Sequence, residues 1–225
     1  MALMLICTVV FCVQSLLPLD ALFALNPLGS GQFWPWQLVS YSFLHGSLMH
    51  LIFNMLGLWM FGAEVEVLRG RSRYLQLLLA STLAAALLQL LIGLVAGGAP
   101  TIGASGAIFG LLVAYALSFP YRQFDLIGLL PMLLMISGNS MLSTLGIVLY
   151  VVLLTNRQAL SFLRPIPIDA KVMVGIYGLV ELYLGVFVEN RGIAHFAHLG
   201  GMLGGWLMIN WWRGRLPFSA PTRRR

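Results

Sequence analysis

The run from Tyr74 to Ala96, YLQLLLASTLAAALLQLLIGLVA, carries no charged side chain. A helical crossing of a bilayer needs roughly 20 apolar residues, and this run meets that length. The rest of the chain has the same character. Of its 225 residues, 60% are hydrophobic and 9% charged, with a mean hydropathy of +0.91. An ordinary soluble domain carries about 25% charged residues, so too few charges are present to cover a water-facing surface. That composition excludes a water-soluble enzyme and predicts a single integral membrane domain over 1–225. The net charge of +6 is small, and the positions of the charges say more than their sum, so no nucleic-acid partner is expected. Cys7 and Cys12 offer neither a zinc-type spacing nor a disulfide framework.

Further apolar runs cover about 2–24, 44–63, 102–119, 172–188 and 192–212, so the expected fold class is an all-α membrane protein with six spans. Pro18 and Asp20 interrupt the first run, and it lacks the basic lead of a cleaved signal peptide. The Gly-, Pro- and Trp-rich stretch from Asn26 to Gln37 suits a loop at the membrane interface, where Trp is enriched. Twelve of the thirteen basic residues follow the second, fourth and sixth spans, and only Arg191 lies on the other side. The positive-inside rule then places both termini in the cytoplasm. One more apolar run, Leu126 to Leu154, is flanked by Arg122 and Arg157 and must leave and return on one side. Two crossings need roughly 40 residues, more than it has. A bent, re-entrant or surface hairpin turning at Ser137 to Ser140 is expected, as an insertion over about 124–158 between the fourth and fifth spans.

Polar groups inside a bilayer are costly and mark bundle interiors or water-filled cavities. All four histidines sit in two short apolar segments. His45 and His50 open the second span, and Asn54 stands four residues after His50, on the same helix face. His195 and His198 lie in the sixth, where Gly201 and Gly205 extend the His198 face as a strip bare of side chains. Such a strip admits a second helix closely. The fourth span offers a partner, because Gly106 and Gly110 make a small-xxx-small face immediately after Ser105.

Ser105 and His198 together supply a nucleophile and a general base, the minimum for acyl transfer. None of the seven acids has a spacing that aims it at His198, Glu181 in the fifth span included, so the expected unit is a dyad. His50, Asn54 and the Ser105 backbone N–H are the candidate donors for the oxyanion. Phe109, one turn after Ser105, is the ring available to pack on His198. The polar run from His45 to Asn54 is the expected route for water.

These pieces, His45-x4-His50-x3-Asn54, Gly103-Ala104-Ser105-Gly106 and His198-x2-Gly201-x3-Gly205, resemble the rhomboid family of intramembrane serine proteases in order and spacing. The resemblance spans nearly the whole chain. It implies a six-transmembrane-helix rhomboid-like bundle, with Ser105 as nucleophile, His198 as base, and an oxyanion site from His50, Asn54 and the Ser105 amide. It implies that Phe109 stacks on His198, and it selects His198 over His195, because only His198 has glycine at both following positions. Gly103, Gly106, Gly201 and Gly205 are supporting positions. Trp36 and Glu66-x3-Gly70 also look like family positions, while Gln37 stands where many members have Arg.

The function implied is endoproteolysis of single-span membrane proteins near the outer face, with no metal or other cofactor. By the same resemblance, substrates carry a small residue before the cut and helix-weakening residues around it. Three other readings fit parts of the sequence: a non-catalytic relative that escorts membrane helices, a histidine-ligated metal or haem protein, and a small-solute transporter. Against them stand the retained serine and histidines, the lack of acids beside the histidines, and the lack of repeated halves. The charge layout favours a bacterial inner membrane.

Overall fold

The computed structural model describes residues 1–135, 140–155, 164–188 and 194–216. They group into two compact units, one formed by Met1–Ser118 with Phe196–Arg225 and the other by Phe119–His195.

The first unit begins with α1 (Ala2–Gln14), α2 (Asp20–Phe23) and α3 (Gln37–Ser40), continues through α4 (Leu48–Arg69), α5 (Arg71–Ala96) and α6 (Ser105–Ser118), and holds nearly all of the helix that closes the described chain. The expected first span over about 2–24 is two helices with a break between them. Pro18 disfavours helical backbone at the residue before it, and Asp20 is drawn to the Gln14 amide at 2.7 Å. The second-span helix starts later than its apolar run, at Leu48, and continues to Arg69, the third starts earlier, at Arg71, and the two meet at Gly70, whose φ of +78° turns the chain between them.

On α5 the small residues Ser81, Thr82, Ala85 and Ala86 are buried, while Leu75, Leu79, Leu87, Leu91 and Leu94 are exposed. Leu77, Leu78 and Leu90 are buried as well, so the inner face mixes leucines with the small residues on which close helix contact in a bilayer relies, and the outer face presents leucine to lipid. Among the described residues, α4, α5 and one helix of the second unit are long and apolar enough to cross a membrane. The shorter apolar helices include α1 and α6.

The loop before α3 is pinned from within. Gln37 is fully buried. Its Oε1 accepts the Asn26 N–H at 3.1 Å, and its Nε2 donates to the carbonyls of Leu22 at 3.2 Å and Gln32 at 3.1 Å. An amide thus anchors the loop at the position where arginine is common in the resembled family. Trp36 adds a bond from Nε1 to the Leu22 carbonyl at 3.0 Å.

The second unit holds β1 (Gln123–Asp125), α7 (Leu126–Met135), α8 (Ser140–Thr155), β2 (Pro167–Asp169) and α9 (Ala170–Phe187). The strands pair antiparallel, Gln123 opposite Asp169 and Asp125 opposite Pro167. Asp125 Oδ1 accepts the N–H groups of Ile127 and Ile166, each at 3.1 Å. The segment between the two strands therefore leaves and returns at neighbouring points, and its two described helices, α7 and α8, pack on one another. Of the expected turn at Ser137 to Ser140, Ser140 opens α8 and the other three residues lie outside the described residues, as do Arg157, Glu189, Arg191 and Arg223–Arg225. The final helix, α10 (His195–Trp212), has the length to cross, but its two histidines, four glycines and Asn210 dilute its apolar content.

Candidate active site

Ser105 is the first residue of α6, and the chain before it is fixed from two sides. Thr101 and Leu25 exchange backbone hydrogen bonds at 2.9 and 3.0 Å, and the Gly103 N–H donates to the Tyr41 carbonyl at 2.9 Å. Tyr41 is buried and donates its hydroxyl to the Thr82 carbonyl at 3.0 Å. Gly103 has φ +122°, where a side chain would be strained. This bend explains why the fourth-span helix starts at 105 rather than 102.

Two of the α10 glycines lie against α6. A Cβ built on Gly201 would collide with the Gly106 carbonyl, and one on Gly205 with the Gly110 carbonyl. The other two face α5: a Cβ on Gly200 would fall 2.6 Å from the Ala84 carbonyl oxygen, and one on Gly204 2.8 Å from that of Ala80. Sequence reasoning identifies the first pair and misses the second, although the doubled Gly-Gly spacing is its signal. With the backbones this close, His198 Nε2 stands 2.8 Å from Ser105 Oγ. The imidazole stacks on Phe109 with ring centroids 4.3 Å apart and planes 9° from parallel. When Nε2 accepts the Ser105 hydroxyl proton, the neutral ring carries its own proton on Nδ1.

Opposite them, Ser47 caps α4 by accepting the His50 N–H at 3.1 Å. The Gly46 N–H donates to His50 Nδ1 at 3.4 Å, which leaves the neutral ring's proton on Nε2. That edge meets Gly103, where an added Cβ would fall 2.7 Å from His50 Nε2 and 3.7 Å from Asn54 Nδ2. Asn54 is buried, and its Nδ2 has no hydrogen-bond partner among the described residues. A buried donor without an acceptor is rare in native proteins and calls for a reason. Two side-chain donors therefore lie beside Gly103, and the Ser105 N–H joins them as a first-turn amide with no acceptor in its own helix.

His45 sits behind this arrangement, its ring edge-on to His50 at 5.2 Å between centroids. Gln14 at the end of α1 holds it by the backbone, accepting the His45 N–H at 3.0 Å and donating to its carbonyl at 3.4 Å.

His195, the first residue of α10, lies in the second unit, with Nδ1 2.7 Å from Glu181 Oε2. Glu181 is 0% exposed and His195 6%. No spacing rule connects residues on different helices, so the sequence does not reveal the pairing. Its one signal is an acid alone inside an apolar span.

The model of the rhomboid domain family matches residues 32–149, a stretch that holds His50, Asn54 and Ser105 and ends before His198. The chain is 31% identical over 170 residues to rhomboid protease GluP of Bacillus subtilis, covering 76% of this chain and 24% of that protein. It is 28% identical over 201 residues to the mitochondrial presenilin-associated rhomboid-like protein A of Danio rerio, covering 87% and 43%. With rhomboid protease GlpG of Klebsiella pneumoniae it shares 36% over 91 residues, covering 39% and 33%. The chain spans less than half the length of these curated relatives.

Proposed function

The chain belongs to the rhomboid family, and on that premise we propose that it is an intramembrane serine endopeptidase working through a Ser105–His198 dyad. The observation that carries the proposal is the 2.8 Å approach of His198 Nε2 to Ser105 Oγ.

Catalysis follows from those atoms. His198 Nε2 takes the Ser105 hydroxyl proton as Oγ attacks the carbonyl carbon of the scissile peptide bond. The negative charge moves to the carbonyl oxygen, where His50 Nε2–H, Asn54 Nδ2–H and the Ser105 N–H donate to it. Collapse breaks the C–N bond, and the proton on His198 passes to the departing amine. Water then attacks the acyl-Ser105 ester while His198 accepts its proton. The ester C–O bond breaks, the proton returns to Oγ, and the new carboxyl terminus leaves.

The substrate class we propose is single-span membrane proteins cut near the outer face. A helical segment hides its carbonyls in its own hydrogen bonds, and exposing them in lipid is expensive, so residues that weaken the helix favour cleavage. The topology we propose has six spans with both termini cytoplasmic, in a bacterial inner membrane, and the 126–154 hairpin as an added element on the cytoplasmic side. The test is a single-span substrate in reconstituted vesicles, with Gly and Pro near the cut replaced by Leu. Cleavage is expected to slow; an unchanged rate contradicts the substrate reading.

A further inference from the structure

The dyad leaves one buried ionisable pair unused. Glu181 lies in the interior of α9 and His195 opens α10, and their side chains meet at 2.7 Å with almost no exposure. An acid inside the membrane thickness is costly and persists where it is paired. Replacing such a buried pair by apolar residues is often neutral or stabilising, so stability alone is a weak reason for these two residues. The position of the bond supplies a better one. His195 is the first residue of α10, and His198 stands three residues later, on the same helix face. The first turn of a helix has N–H groups without intrahelical acceptors and the positive end of the helix dipole, where a carboxylate is favoured. The bond ties Glu181 to the first residue of the turn that leads to His198.

We propose that Glu181 and His195 are a positioning pair: the α9 carboxylate locks the turn of α10 that carries His198, and so sets the angle at which the imidazole meets Ser105. The pair rests on the dyad reading above and extends it. Its effect falls on kcat, because a small misplacement of the base costs rate without altering how the substrate helix is bound.

The experiment compares wild type with Glu181→Gln, Glu181→Leu, His195→Leu and the double variant Glu181→Leu/His195→Leu, with Ser105→Ala as control. Thermal unfolding, kcat, KM and the rate of Ser105 labelling by a fluorophosphonate are read for each. The double variant matters most, since it leaves no buried charge unpaired and is expected to unfold at or above the wild-type temperature. Its kcat and labelling rate should nonetheless fall between about tenfold and a hundredfold, with KM within about twofold. Glu181→Gln retains an acceptor for Nδ1–H and should recover most of the rate. If the single Leu variants fail to fold, the double variant decides. A stable double variant that cuts and labels like wild type overturns the positioning pair while leaving the dyad intact. A wild type that shows no labelling beyond Ser105→Ala removes the dyad, and the pair with it.

Discussion

The imidazole of His198 lies flat on the ring of Phe109, 4.3 Å between centroids and 9° between planes. Ser105 and Phe109 are four residues apart on α6, so one helix face presents both the hydroxyl and the plane against which its partner rests. Phe109→Leu keeps an apolar side chain but removes the flat surface. Its kcat is expected to drop about tenfold from lost orientation, with little change in KM. Steady-state cleavage kinetics on the folded variant measure this, and wild-type kcat would show that the stack does not orient the base.

Asn54 and His50 make a separate prediction, because their donors act on the transition state rather than on the nucleophile. Removing one oxyanion donor typically costs about 2.7–4 kcal/mol, or 10²–10³ in kcat. Asn54→Ala should show that loss with KM nearly unchanged and with no loss of folding, since its Nδ2 has no partner to lose among the described residues. A loss confined to KM would assign Asn54 to substrate binding instead.

The glycines divide into tight and open positions. A Cβ on Gly201 collides with the Gly106 carbonyl, whereas one on Gly175 in α9 meets nothing within 4 Å. Gly201→Ala is therefore expected to destabilise by about 1–3 kcal/mol, as overpacking does, and to silence the site by shifting α10 from α6. Gly175→Ala should stabilise by about 0.5–1 kcal/mol, because glycine in a helix interior is unfavourable relative to alanine. Thermal unfolding in one detergent compares the two directly, and equal effects would contradict the packing described.

The interface loop depends on Gln37. Gln37→Leu deletes three hydrogen bonds and leaves the Asn26 N–H without its acceptor. A buried group left unpaired costs about 1–3 kcal/mol, so the variant should unfold earlier, and proteolysis should reach the 26–36 loop sooner than in wild type. Equal protection would show that the loop is held without Gln37.

Much of this arrangement is legible before any coordinates. Long apolar runs mark α4 and α5, and His50 with Asn54, or Gly201 with Gly205, share faces because helical spacing is fixed. What the spacing does not reveal depends on contacts between distant segments. The β1–β2 ribbon rests on three residues a side, too short for a periodic signal. The start of α6 depends on the φ of Gly103, which is set by the Tyr41 carbonyl some sixty positions earlier. Glu181 falls in the same class, since it meets His195 across fourteen positions and a helix boundary.

The proposed activity requires that Ser105 and His198 together cut peptide bonds inside the membrane. Cleavage of a single-span substrate in reconstituted vesicles, by wild type, Ser105→Ala and His198→Ala, tests it most directly. Wild type is expected to cut, and both variants, still folded, to lose at least about a thousandfold in rate. A folded Ser105→Ala that cuts at the wild-type rate would contradict it.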